Sequence, residues 1–137
     1  KKLPPVWTYS TNLDSGHEAP AQINNGVMFV STPYNHVIAL NAKTGQVYWR
    51  YKHDNPYDLS VMHNTSRGIA LWDDKVYVAG LDGTLNALDA KTGCKHWMYE
   101  AQSGVRSAMS VASFDQGQQV VFLGDFNNVS RFTIDNY

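Results

Sequence analysis

The chain is poor in the residues that would commit it to several large classes of protein. It has a single cysteine, Cys94, so no disulfide can form within it, and there is no Cys-x-x-Cys-His haem motif. Charged side chains make up only 17% of the 137 residues and the net charge is −1. With no block of Lys and Arg, this argues against nucleic acid or an anionic membrane as the partner. No apolar run approaches the ~20 residues of a membrane span. No signal segment opens the chain, as expected if the first residue follows a processing or truncation point. The five histidines (17, 36, 53, 63 and 96) share no metal-ligand spacing and read as scattered surface or loop residues. Cys94 has no acid or histidine at a recognisable spacing and reads as inert. What remains, with 43% hydrophobic and 12% aromatic residues, is a folded chain with room for one modest domain.

Its strongest positive feature is a segment that occurs twice, 48 residues apart. Residues 27–49 and 75–97, laid over each other without a gap, agree at eight of 23 positions, five of them the run Ala-Lys-Thr-Gly and a closing Trp. A fixed period of this length marks a repeat architecture. In the second copy Val76 and Val78 alternate with Tyr77, a turn follows at Leu81-Asp82-Gly83, and another strand runs through Leu85, Ala87 and Asp89. Ala90-Lys91-Thr92-Gly93 is a second tight turn, with Gly where a positive φ is expected, and a further strand ends on Trp97. Strands joined by short turns, with one large aromatic per repeat, predict blades of an all-β propeller.

Length and period disagree in an informative way. A propeller closes with about 4–8 blades, and at about 45 residues each this chain supplies about three. The repeats fall at about 20–49, 68–97 and 108–137 of a partial propeller spanning 1–137. The third is weak: Val120-Val121-Phe122-Leu123-Gly124 resembles the opening strand and Phe132-Thr133-Ile134-Asp135 resembles Asn-Ala-Leu-Asp, but no Lys-Thr-Gly turn or Trp follows. Trp7 reads as the closing Trp of an earlier blade. An open arc would expose sheet edges and unpaired aromatics, so the chain is expected to be a piece of a larger propeller, completed by a longer chain or a partner.

The pattern Ala-Leu-(Asp/Asn)-Ala-Lys-Thr-Gly-x-x-x-Trp resembles the tryptophan-docking motif of the quinoprotein propellers, the pyrroloquinoline quinone (PQQ) dehydrogenases and their relatives. The resemblance implies about three blades of an eight-bladed fold, with each Trp over the Ala and Gly of a neighbouring blade. The segments between repeats sharpen it. Gly16-His17-Glu18-Ala19-Pro20 resembles the start of the blade after the amino-terminal one in the alcohol dehydrogenases, and Ser66-Arg67-Gly68-Ile69-Ala70 resembles the opening of the next. Residues 29–40 and Trp49-Arg50-Tyr51-Lys52-His53 are similar to the same branch. The likeness covers residues 3–100 and fades afterwards.

By that resemblance, Glu18 points into the central funnel toward the quinone and Arg67 bonds its oxygens. Ser107 and Ser110 sit where the family places quinone-binding hydroxyls. The residue types suit the chemistry. PQQ is a flat tricarboxylate with an ortho-quinone at one edge, and an Arg stabilises negative charge that builds on a quinone oxygen as hydride arrives. A calcium or lanthanide ion at that edge acts as Lewis acid, and a carboxylate base takes the alcohol proton. The resemblance also implies a periplasmic setting, a primary alcohol or sugar as substrate and a c-type cytochrome as electron acceptor. The catalytic residues would lie outside this chain, which alone is expected to be inactive. The plainer readings are a solvent-facing acid for Glu18, an Arg packed at a blade junction for Arg67, and small strand-start residues for both serines.

Departures from the pattern matter as much. Many alcohol-oxidising members carry two adjacent cysteines shortly before the Arg, where this chain has Val61-Met62 or Met62-His63. His63 is a candidate to stack on the quinone instead, or a simple loop histidine. The later metal-ligand Glu would fall near Asp125-Phe126-Asn127-Asn128, where there is none and a turn is the default reading. Asn64-Thr65-Ser66 and Asn128-Val129-Ser130 match glycosylation acceptors, a commonplace match. Two alternatives therefore stand beside the enzyme: a non-catalytic scaffold of the outer-membrane assembly type, and a degenerate relative that keeps the fold without the cofactor.

Overall fold

In a computed structural model that describes residues 2–55, 64–105, 107–114 and 117–134, the chain runs almost wholly in antiparallel strands. The first sheet places four strands side by side in chain order: β1 (Gln22–Asn24), β2 (Val27–Ser31), β3 (Val37–Asn41) and β4 (Val47–Tyr51). The second repeats that order with β5 (Ile69–Trp72), β6 (Lys75–Ala79), β7 (Thr84–Asp89) and β8 (Lys95–Glu100). The third contains β9 (Ser110–Ser113), β10 (Gln119–Gly124) and β11 (Val129–Ile134). A short 3-10 turn, Pro33–Asn35, interrupts the strands between β2 and β3. The first strands of the sheets approach one another, β1 against β5 and β5 against β9, so they line the inner side while β4 and β8 lie outermost. These are consecutive blades of a β-propeller, the all-β fold the repeats predict.

The alternation in β6 does not separate a wet face from a dry one. Val76, Tyr77 and Val78 are all at most 1% exposed. Val76 and Val78 pack with Phe29, Val37, Ala39 and Trp49 of the first sheet. Tyr77 packs on the opposite side with Leu85, Ala87, Met109, Val121 and Leu123, reaching the third sheet. A sheet held between two others buries both faces, so its strands become almost continuously apolar. The sequence period of two therefore records which neighbour each side chain faces.

Tryptophans fasten one sheet to the next. The Trp7 indole N–H donates to the Ala42 carbonyl at 3.2 Å, and the Trp49 indole N–H donates to the Ala90 carbonyl at 3.0 Å. Both acceptors lie in the Ala-Lys-Thr-Gly turn of the following sheet. A Cβ placed on Gly45 would fall 2.7 Å from the Trp7 ring, and one on Gly93 would fall 2.6 Å from the Trp49 ring. The backbone sets the same demand, with φ of +74° and +75° at the two glycines. The turn itself is pre-formed by the residue before it. The Asn41 side-chain oxygen accepts the amides of Lys43 and Thr44, and the Asp89 carboxylate accepts those of Lys91 and Thr92. In the first two sheets the pairing of the third and fourth strands slips at the same place, at Ala39/Leu40 and at Ala87/Leu88. That slip turns the closing Trp out toward the next blade.

Gly26 offers a control, because it has φ +77° but a Cβ there would meet nothing within 4 Å. Ala at Gly26 is expected to cost about 1–2 kcal/mol from backbone strain alone. Ala at Gly93 should cost a further ~1–3 kcal/mol for displacing the Trp49 ring. Urea unfolding of the two variants measures the difference; equal losses would mean the indole does not press on Gly93.

Candidate functional site

Glu18 and Arg67 stand just ahead of β1 and β5, two of the inner strands, on the face that also carries the β2–β3 and β6–β7 turns. Two segments 49 residues apart in sequence are thus brought to one point. Arg67 Nη1 donates to Glu18 Oε2 at 2.7 Å, and the two side chains remain about half exposed, 50% and 45%. An ion pair this wet contributes little to stability, and it leaves further guanidinium N–H groups available to a ligand. Thr65 and Ser66 are buried beside Arg67, and Ser66 Oγ accepts the Gly68 amide at 3.3 Å, which shapes the turn into β5.

The β2–β3 loop ties the two segments together. The Tyr34 amide donates to the Asn64 carbonyl at 3.2 Å, and the Tyr34 hydroxyl meets Ser15 Oγ at 3.5 Å. Tyr34 and its neighbour Asn35 both adopt φ +64°. A bulky residue held there is strained, and such strain is maintained by the surrounding contacts. Nothing in the sequence marks Tyr34 as a bridge, because its partners come from segments on either side of a whole sheet.

The serines are placed differently. Ser107 Oγ donates to the Gly124 carbonyl at 3.1 Å and accepts the Gly124 amide at 2.6 Å, pinning the approach to β9 against β10. Ser110 opens β9, exposed, with Phe122 opposite. No hydrogen bond among the described residues joins either serine to Glu18 or Arg67. The Asp125 carboxylate accepts the amides of Asn127 and Asn128, at 2.8 and 2.6 Å, and closes the β10–β11 turn. Those bonds hold its pKa below the usual carboxylate value. No three His, Cys, Asp or Glu side chains cluster as metal ligands among the described residues. His63 and the Val61-Met62 pair lie outside the described residues.

The reading of the histidines as scattered surface residues is corrected at His53. This ring is only 6% exposed and its Nε2 lies 2.5 Å from Asp82 Oδ2, whose side chain is 1% exposed. Asp82 belongs to the hairpin tip of the second sheet and His53 to the end of the first, so the pair joins two blades. Neither residue is exceptional in sequence; only the fold brings positions 29 apart into contact. The His53 amide in turn donates to His36 Nδ1 at 3.0 Å. Burial lowers the pKa of His36, assisted by the positive charges of Lys52 and His53 and opposed by Asp54, so its ring is suited to accept.

The comparisons with known proteins agree with this architecture. Residues 1–121 match the PQQ family model, described as the glucose/ethanol/alcohol dehydrogenase β-propeller domain, and the chain belongs to that family. It is 38% identical over 118 residues to the dehydrogenase subunit of the quinone alcohol dehydrogenase of Gluconobacter oxydans, a match covering 80% of this chain and 16% of that protein. A 1-butanol dehydrogenase (cytochrome c) of Thauera butanivorans is 36% identical over 100 residues, covering 71% of this chain and 14% of its own length. Among solved structures, a europium-containing methanol dehydrogenase superposes with a TM-score of 0.67 at 26% identity, over 92% of this chain and 26% of that one. The chain thus spans only about a sixth of the length of the curated relatives it matches. No helix among the described residues is long and apolar enough to cross a membrane.

The buried pair makes stability depend on acid. Burial works against the Asp82 carboxylate, but the hydrogen bond and charge of His53 and the two bonds from Thr84 outweigh it and hold the pKa below 3.8. A lowered folded pKa means the stabilisation is fully present above the unfolded value near 3.8 and is lost as pH falls through the folded one. Asp82→Asn should therefore cost about 2–3 kcal/mol at neutral pH and flatten the acid limb of a stability-against-pH curve. An unchanged acid limb would remove Asp82 from that role.

Proposed function

We propose that this chain forms part of the funnel wall of a PQQ-dependent alcohol dehydrogenase. The whole enzyme would oxidise a primary alcohol or sugar in the periplasm, pass electrons to a cytochrome c, and hold a calcium or lanthanide ion beside the quinone. The observation that carries this reading is the Glu18–Arg67 pair at the inner mouth of two adjacent blades, in a chain of this family.

The donor set suits the cofactor. When bound, PQQ supplies the hydride-accepting quinone, and the protein supplies orientation and electrostatics. Arg67 would present its planar fork to a carboxylate or quinone oxygen, and its fixed charge would oppose the negative charge that develops there. Glu18, engaged through one oxygen, would hold that guanidinium in place and limit its rotation. Ser107 and Ser110 complete the proposed contacts. Ser107 would act through an oxygen lone pair, because its proton is committed to the Gly124 carbonyl. No residue of this chain is proposed as the base that takes the alcohol proton, so the 137 residues alone should not turn over.

Arg67→Ala separates function from stability. Because the pair is half exposed, unfolding free energy should change by less than about 1 kcal/mol. PQQ binding to the full-length protein, followed by quenching of tryptophan fluorescence, should weaken at least about tenfold. Arg67→Lys should recover only part of the loss, since an ammonium cannot bind two oxygens in a plane. Affinity for PQQ that stays at the wild-type level in Arg67→Ala would sink the proposal.

A further inference from the structure

Tyr34 touches the two arms of the Glu18–Arg67 pair at matching points. Its amide donates to the Asn64 carbonyl at 3.2 Å, and its hydroxyl lies 3.5 Å from Ser15 Oγ. Asn64 stands three residues ahead of Arg67, and Ser15 three residues ahead of Glu18. One residue of the β2–β3 loop therefore spans the gap between the segments that deliver the guanidinium and the acid. The two arms differ in stiffness. Thr65 and Ser66 are buried, so a shift at Asn64 is passed on to Arg67. Gly16, His17 and Glu18 are exposed, and a Cβ on Gly16 would meet nothing within 4 Å. That arm is held at its base, by Ser15 against Tyr34 and by His17 Nε2 at 3.1 Å from Thr11 Oγ1.

The loop is itself anchored from behind. The Thr32 amide donates to the His36 carbonyl at 2.9 Å and closes its neck, and His36 Nδ1 accepts the His53 amide at 3.0 Å. Asn35 is buried against the β6–β7 turn, where a Cβ on Gly80 would fall 2.5 Å from its Nδ2. Gly80 has no positive φ, so the demand for glycine there is one of space. Held in this way, Tyr34 sits at φ +64°, ψ 21°, a region that tyrosine occupies only at a cost. Glycine would sit there without strain. What tyrosine adds over glycine is a ring long enough to carry a hydroxyl to Ser15.

On the reading of the Glu18–Arg67 pair as a contact to PQQ, we infer that Tyr34 is a positioning residue for that contact. It sets the separation of the Ser15 and Asn64 segments, and with it the direction in which Arg67 presents its remaining N–H groups. The pair is half exposed, so the attraction between its charges is screened and holds a long guanidinium only loosely. Its aim comes instead from the backbone on either side, as a preorganised site requires. Strain kept at such a place trades stability for geometry.

A double-mutant cycle in the full-length protein tests this. PQQ affinity, read by quenching of tryptophan fluorescence, and urea unfolding would be measured for Tyr34→Gly, Arg67→Ala and the two combined. Tyr34→Gly should unfold at no lower urea concentration than wild type, yet bind PQQ about three- to tenfold more weakly. In the Arg67→Ala background the same change should alter affinity by less than about twofold, since no guanidinium remains to be aimed. Unchanged affinity in Tyr34→Gly, with Arg67→Ala weakened, overturns the positioning role and leaves the quinone site standing. Equal losses with and without Arg67 also overturn it, because Tyr34 would then serve the fold alone. If Arg67→Ala binds PQQ like wild type, the quinone site fails and the role of Tyr34 with it. Should Tyr34→Gly not fold, Tyr34→Asn, which also accepts that φ, takes its place in the cycle.

Discussion

Everything in this chain depends on an indole lying flat against a glycine. Neighbouring sheets share no strand ladder, and backbone bonds between blades are confined to loop ends such as Tyr34 to Asn64, so the spacing of the sheets comes mainly from side chains. Trp7 and Trp49 set it by pressing on Gly45 and Gly93 and by donating to Ala42 and Ala90. The contact is apolar over the ring face and polar at one edge, and it therefore fixes orientation as well as distance. It also explains why the turn residues are so uniform. A larger residue at either glycine would need a forbidden backbone angle and the space already held by the ring.

That arrangement decides where variation is tolerated. The Ala-Lys-Thr-Gly turns lie on one face, where the next sheet is received. The segments that lead into β1 and β5 lie on the other and owe nothing to docking. Glu18, Arg67 and the strained Tyr34 loop occupy this second face. Functional groups at the inner mouth can therefore differ from one repeat to another while the fold stays constant, as sites carried on loops of a rigid scaffold generally do.

How much of this was legible in the sequence follows from distance along the chain. The repeat turns are local, with every capping bond within three residues, so composition and spacing reveal them. The strands β1 and β5 are short, and β1 is wholly exposed, so neither carries much pattern of its own. Glu18 and Arg67 stood out through family likeness alone, since nothing in their neighbours predicts that positions 49 apart would meet. His53 and Asp82 were misjudged or passed over for the same reason: the histidine ends a strand and the acid sits in a hairpin tip, and both places are usually wet. Burial there arises only because a second blade covers the first, which no window of one repeat can show.

Two ionic pairs consequently join the same two blades on the same face, and their surroundings assign them different work. Around Arg67 the solvent is close, so the attraction to Glu18 is screened and a second anion can enter at small cost. Around His53 the side chains are almost wholly covered, so the Asp82 carboxylate depends on its hydrogen bonds and the neighbouring hydroxyls and amide are drawn into one network. The buried pair cannot exchange partners without exposing an unpaired charge, which makes it suited to hold the blades in register. The exposed pair can, which makes it suited to receive a ligand. Depth below the surface, more than residue type, distinguishes the two pairs at this junction.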